Sequence, residues 1–287
     1  MYIKWDKDTE EHMQVMEKEG VVYLAYPAFK KFPQFCHGFS TRFGGVSQGI
    51  YSTMNLSFQR GDREENVAEN YSRIARAIGF DLARTVCSQQ THTTNIRRVK
   101  KEDGGKGILK PLDYRDIDGL ITDIPGMTLA TSFADCVPLF FLDPAHNAIG
   151  LAHSGWRGTA ARMGAHMIQA MKETFGSDPS QMYAAIGPSI CQDCYEVSQD
   201  VAEIFYEEFP SYKEEKSLLY RKENGKYQLN LWRANEIVLQ EAGILPEKLS
   251  FPGICTCCNP NLLFSHRASQ GKRGNLSAFL GIRPSIE

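Results

Sequence analysis

Cys136 and His153 stand at the two ends of a stretch in which the β-rich runs "VPLFFL" and "AIGLAH" flank the five-residue connection "DPAHN". Asp and Pro at the start of that connection suit a hairpin loop. If Leu142 pairs with Ile149 or Ala148, Cys136 comes opposite a residue within one of His153. Directly opposed residues have Cα atoms about 4.5–5.5 Å apart, so thiol and imidazole meet at the open end of the hairpin. The two residues alone fit a nucleophile with its base, a pair of metal ligands, or a buried thiol beside a satisfied histidine.

A third residue narrows the chemistry. His92 lies in "CSQQTHTTN", a polar, Thr-rich loop after the short run "RTVCS", a poor place for a packing histidine and a good one for a ligand brought in from outside the hairpin. Two imidazoles and one thiolate form a set suited to zinc, and catalytic zinc sites keep a fourth position open. A metal there lowers the pKa of bound water toward about 7 and supplies a nucleophile at neutral pH. Asp135, beside Cys136, points to the other face of a regular strand, but at a strand end it can still orient a ligand or move a proton. The turn "HSGWRGTAARM" leads toward a Met-striped helix, which offers amide N–H groups and Arg157 to phosphate or carboxylate. Arg42, before Gly44 and Gly45 in "HGFSTRFGGVSQG", is a second anion-binding candidate.

These residues must be positioned by alternating helices and strands. Apolar residues Val67, Tyr71, Ile74 and Ile78 lie on one face of a helix that stops at Gly79, and Met163, Met167, Met171 and Phe175 repeat the pattern before Gly176. The Met stripe reads as core packing. Further helices are expected across "SQDVAEIFYEEF" and "NLWRANEIVLQEAG", the second closed by Gly243, with short strands at "TLATSF", "MYAAIG" and "KYQLNL". Strands that come in adjacent pairs favour an α+β fold with mixed or antiparallel sheets over a doubly wound parallel one. No repeat or linker divides residues 1–287, so one domain is expected.

Composition excludes several classes. A formal net charge of -2 provides no basic stripe for a nucleic-acid polymer. The charged N-terminus has no signal-peptide core and no window reaches the run of about 18 apolar residues that spans a membrane, so a soluble cytoplasmic protein with reduced thiols is expected. Among the eight cysteines, Cys191 with Cys194 and Cys255 with Cys258 form two C-x-x-C pairs, a signal for structural zinc. Neither has the Gly-rich knuckle setting of a zinc ribbon, and "SICQDCYEV" reads as the start of a helix, so packing or incidental thiols are expected there.

The stretches "HGFSTRFGGVS", "GDREENVAEN", "QQTHTTNI", "DGLITD", "ADCVPLFFLDP", "IGLAHSGWRGT", "IGPSICQDCYEV" and "FSHR" together resemble the YlmD/YfiH family, also called laccase-domain or polyphenol oxidase proteins. The resemblance runs from about residue 37 to 282. It implies a four-layer α/β/β/α fold with mixed β-sheets, similar to a Cys-His toxin deamidase of the CNF1 type. It also implies a zinc ion on His92, Cys136 and His153, with copper able to enter the same site. The implied activities are phosphorolysis of adenosine, inosine, guanosine and methylthioadenosine and deamination of adenosine, so the implied partners are a nucleoside and phosphate. Two places depart from the family pattern: Ser154 replaces the Ala usual before "GWRG", and "GKRGN" stands where a Thr-Gly-Arg element is expected, so Arg273 is not assigned that arginine's role.

Two rival readings belong to other classes. A metal-free hydrolase would use Cys136 as thiolate, His153 as base and a backbone oxyanion hole, with a peptidoglycan precursor as the substrate that some relatives suggest. A nucleoside-binding module without turnover is the other. Copper-dependent polyphenol oxidation is disfavoured, because multicopper chemistry calls for His-x-His pairs and the seven histidines include none.

Overall fold

Short apolar strands build two six-stranded sheets in the computed structural model, which describes residues 2–7 and 9–284. Numbered along the chain, the first sheet has the order β1 (Gln14–Lys18), β2 (Val21–Ala25), β3 (Phe35–Ser40), β15 (Leu276–Ile282), β7 (Thr128–Phe133), β4 (Thr85–Cys87). The second runs β14 (Leu249–Ser250), β10 (Tyr183–Ile186), β8 (Val137–Asp143), β9 (Ala148–Ser154), β6 (Gly119–Thr122), β5 (Ile96–Arg98). Both are mixed: β4 joins β7 in parallel, β5 joins β6 and β14 joins β10 likewise, and the remaining pairs are antiparallel. A small third sheet joins β11 (Glu196–Val197), β13 (Tyr227–Leu229) and β12 (Leu219–Arg221).

The two central strands are mostly apolar because successive residues face two different cores. Every residue of β8 and β9 is buried. Phe140 and Leu142 enter the core shared with Leu129, Phe133 and Leu280 of the first sheet, while Leu139 and Phe141 face a core built with helices. Those helices are α3 (Met163–Phe175) and α5 (Leu231–Glu241), and Met163, Met167 and Met171 are packed in that core as expected. On the far side of the first sheet, α1 (Glu64–Ile78) lays Val67, Tyr71 and Ile74 against Val21, Ala130 and Phe279. It ends where Gly79 takes φ 89°, a left-handed cap that glycine adopts without a Cβ penalty.

One expected helix is two. The chain after Gly155 makes the five-residue α2 (Trp156–Ala160), then turns through Arg162 in the left-handed region (φ 59°) before α3 begins. The Arg162 carbonyl accepts the amides of Ala165 and His166, so the break starts the Met-striped helix in a new direction. Consequently the "GWRG" turn does not abut the N-terminus of the Met-striped helix. The remaining helices are α4 (Gln199–Glu208) and α6 (His266–Ser269). Among the described residues no helix is long and apolar enough to cross a membrane.

Candidate functional site

The hairpin register places Leu142 opposite Ile149, Pro138 opposite His153 and Val137 opposite Ser154. Continued by one residue, Cys136 stands across from Gly155, two positions past His153 rather than within one. Thiol and imidazole therefore meet on a diagonal of the same sheet face, a separation long side chains bridge. Cys136 has left the strand, because Asp135 before it turns through φ 86°.

His92 completes the group. One ligand atom from each of His92, Cys136 and His153 lies within 4.8 Å of the other two. Gly155 makes room for this convergence, since a Cβ there would lie 2.9 Å from His92 Nδ1 and 3.1 Å from Cys136 Sγ. The three residues line one wall of a cavity of about 290 Å³, with Arg273, Asn275 and Ser132 on others.

A residue without an assigned role in the sequence, Asp118, holds the arrangement together. It opens β6 beside β9, and its Oδ1 lies 2.8 Å from Nδ1 of His153. The same carboxylate accepts the amides of Thr91, His92 and Thr93 at 3.0–3.1 Å and the Thr93 hydroxyl at 3.1 Å. One buried anion therefore sets the His153 ring and folds the loop that carries His92, whose φ is 65°. Burial alone would raise the Asp118 carboxyl, but the bonds from His153 and from the Thr91 and Thr93 amides outweigh it and hold it at about 2. For His153, burial pulls the imidazole down, while the Cys136 thiolate and Asp118 pull harder and leave it at about 9. His92 is lowered by burial first and then by the charges of His153 and Arg157.

The other sequence candidates are not among the three convergent ligands. The Asp135 carboxylate is engaged by other groups, accepting the Thr256 hydroxyl at 2.6 Å and the Arg267 amide at 2.7 Å. Arg42 is a brace: its Nε donates to the Ser52 carbonyl, its terminal nitrogen to Pro260, and its guanidinium lies 4.6 Å over the Phe264 ring. Arg157 is exposed and stacks 4.3 Å over Trp156. Ser154 is not idle: its buried hydroxyl bonds Thr159 at 2.9 Å and Asn235 Oδ1 at 3.1 Å, linking β9 to α2 and α5.

The two C-x-x-C pairs, expected to be incidental, converge instead. The sulfurs of Cys191, Cys194, Cys255 and Cys258 all lie within 4.8 Å of one another, a group able to hold a metal ion. The segment "QDC" forms a single 3-10 turn there rather than opening a long helix.

Known proteins share this architecture. The model of the family described as multi-copper polyphenol oxidoreductase laccase matches residues 36–283. The chain is 37% identical over 247 residues to purine nucleoside phosphorylase YlmD of Bacillus subtilis, covering 86% of this chain and 88% of that protein. The crystal structure of YlmD from Geobacillus stearothermophilus superposes with a TM-score of 0.85 at 35% identity, covering 95% of this chain and 99% of that one. That of the Bacillus licheniformis hypothetical protein YfiH gives 0.87 at 32%, covering 94% and 99%. Sequence and fold agree over nearly the same residues, and the chain belongs to the YlmD/YfiH family.

Proposed function

We propose that the chain is a purine nucleoside phosphorylase that also deaminates adenosine, acting on adenosine, inosine, guanosine and methylthioadenosine. The observation that carries this reading is the gathering of His92, Cys136 and His153, backed by Asp118, at a cavity close to the lower end of small-molecule pockets, about 300–1,000 Å³. Relatives that span most of the chain carry the name purine nucleoside phosphorylase. The helices and sheets support reading the fold as the four-layer α/β/β/α arrangement.

The donor set suits zinc: two imidazoles and a thiolate, with one imidazole locked by a carboxylate, as metal-binding histidines commonly are. When bound there, the metal supplies Lewis-acid polarisation and water activation. Asp118 fixes which nitrogen of His153 faces the cavity, because Nδ1 is committed to the carboxylate. In phosphorolysis a phosphate oxygen attacks C1′ of the ribose as the bond from C1′ to the base breaks. The base leaves with the electron pair and takes up a proton.

Holding that phosphate falls to Arg273, which lines the cavity, with the charge of Arg60 nearby. The Nε of each is buried without a hydrogen-bond partner; Arg60 donates to the Gly271 carbonyl, and Arg273 donates to the Gly274 carbonyl and the Asn275 side-chain oxygen and lies 3.3 Å from His266 Nδ1. Burial, then the charge of Arg60, lowers Arg273 to about 10, so a dianion between the two relieves a repulsion built into the protein. Asp135 is a positioning residue in this scheme, anchoring the loop that presents Cys136.

Incubating metal-loaded protein with adenosine, with and without phosphate, and separating the products tests the reading. Adenine and ribose 1-phosphate are expected only with phosphate, and inosine in either case. No product from loaded protein overturns it. One observation favours a second reading: His153 lies between Asp118 and Cys136, the order of a thiol–imidazole–carboxylate relay. Retention, by an inactive Cys136→Ala variant, of as much metal as the unsubstituted chain binds, beyond the equivalent the four-cysteine group can hold, supports that covalent route instead.

A further inference from the structure

We propose that Cys191, Cys194, Cys255 and Cys258 bind a structural zinc ion that clamps two irregular segments together and steadies the loop carrying Cys136. The four sulfurs come from C-x-x-C pairs 64 residues apart, with Cys194 and Cys258 at 3.5 Å. Four thiolates leave no open position, which is the donor pattern of closed structural zinc sites.

The surroundings supply donors to the sulfurs. The amides of Cys191 and Cys258 donate to the Cys255 sulfur at 3.2 and 3.4 Å, and Lys4 Nζ lies 3.8 Å from the Cys258 sulfur. Backbone donors and a nearby cation offset the negative charge that four thiolates leave on a divalent ion. The segments joined have little regular structure of their own: one 3-10 turn at Gln192–Cys194, and a turn after the isolated bridge between Ser189 and Cys255. Small irregular segments of this kind gain order from metal ligation.

The clamp reaches the first centre through Thr256, which follows Cys255. Its amide donates to the Ser189 carbonyl at 3.1 Å and its hydroxyl to Asp135 at 2.6 Å, while the Ile190 amide donates to the Asp135 carbonyl at 3.0 Å. Asp135 is thus gripped by residues from both clamped segments, and Cys136 is the next residue. The clamp also meets the N-terminal segment, where the Lys4 amide bonds Asn259 at 2.7 Å.

The test uses the full chain and counts metal without reference to turnover, so it stands or falls separately from the proposed activity. A variant carrying His92→Ala, Cys136→Ala and His153→Ala, loaded with zinc, is expected to retain one equivalent. Cobalt substituted into it is expected to show the intense charge-transfer absorption of a tetrathiolate site. A Cys258→Ser chain is expected to lose one equivalent relative to the unsubstituted protein and to exchange amides faster at residues 134–136 and 189–195. Absence of metal from the triple variant, disulfides among the four thiols in anaerobically purified protein, or bound iron in place of zinc overturns the assignment. Unchanged exchange near Cys136 in the metal-depleted Cys258→Ser chain overturns the bracing role. If Cys258→Ser does not fold, removing zinc from the triple variant with a chelator and repeating the exchange measurement decides the same point.

Discussion

The Asp118 carboxylate lies 2.8 Å from Nδ1 of His153, and the two side chains are 0% and 5% exposed. A buried anion paired with a ring nitrogen fixes the tautomer as well as the orientation, leaving Nε2 as the free donor. Asp118→Asn keeps the size but removes the charge and turns one accepting oxygen into a donor. Metal affinity, measured by competition with a chelator, is expected to fall about 10–100-fold, with little change in the circular dichroism of the fold. Unaltered affinity would show that the pair contributes packing alone.

Gly155 and Gly158 give a matched pair of substitutions in one turn. A methyl group at Gly155 would sit 2.9 Å from His92 Nδ1 and 3.1 Å from Cys136 Sγ, whereas at Gly158 its nearest neighbours are at 3.7 Å. Gly155 has φ -69°, so backbone strain plays no part in the comparison. Gly155→Ala is expected to separate the ligands and lower metal affinity at least about tenfold, a shift of about 1.4 kcal/mol. Gly158→Ala is expected to bind metal like the unsubstituted chain. Equal behaviour of the two variants in metal titration contradicts the steric argument.

The parts of this site that were legible in the sequence are those encoded by local pattern. The Val67–Tyr71–Ile74 face of α1 and the Met stripe follow from a period of 3.6, and the β8–β9 hairpin from two short apolar runs around an Asp-Pro turn signal. His92 was legible because its polar loop gave it no packing role. Asp118 was not, since its partners stand 25–35 residues away and nothing near it distinguishes a buried hub from a turn aspartate. The break at Arg162 was also hidden, because amphipathic spacing continues across it while the chain changes direction. The four cysteines are an intermediate case: each pair is visible, but that the pairs meet follows only from the folded chain, where a bridge joins Ser189 to Cys255 and the four sulfurs converge.

Arg273 and Arg42 have opposite expected roles. Arg273 lines the cavity with a buried Nε that lacks a partner, whereas the Arg42 donors are taken by Ser52 and Pro260. If phosphate sits on Arg273, Arg273→Ala loses a charge-assisted bond of about 1.5–3 kcal/mol, and KM for phosphate rises about 10–100-fold. Deamination, which needs no phosphate, is expected to change much less. Arg42→Ala is expected to lower the unfolding midpoint while leaving KM for phosphate within about twofold. Steady-state kinetics with phosphate varied separates the two, and an unchanged KM in Arg273→Ala removes that residue from the phosphate site.

The pH dependence of stability is expected to centre on a histidine far from the cavity. Nε2 of His37 accepts the Tyr26 amide at 2.8 Å, a role open only to the neutral ring, and the ring packs edge-on to Phe29 with centroids 5.0 Å apart. Burial is the main cause that lowers His37 from 6.5 to about 4, and the positive charge of Lys30 adds to it. The unfolded chain therefore takes up the proton first. Stability from this group is full above pH 6.5 and is lost as pH falls toward 4, by at most about 3 kcal/mol at about 1.4 kcal/mol per unit. His37→Gln keeps an acceptor without a titrating group, so urea unfolding across that window is expected to show a shallower loss than in the unsubstituted chain. Parallel curves for the two proteins would mean that acid sensitivity arises from other groups and that His37 protonates in the folded state as readily as in the unfolded one.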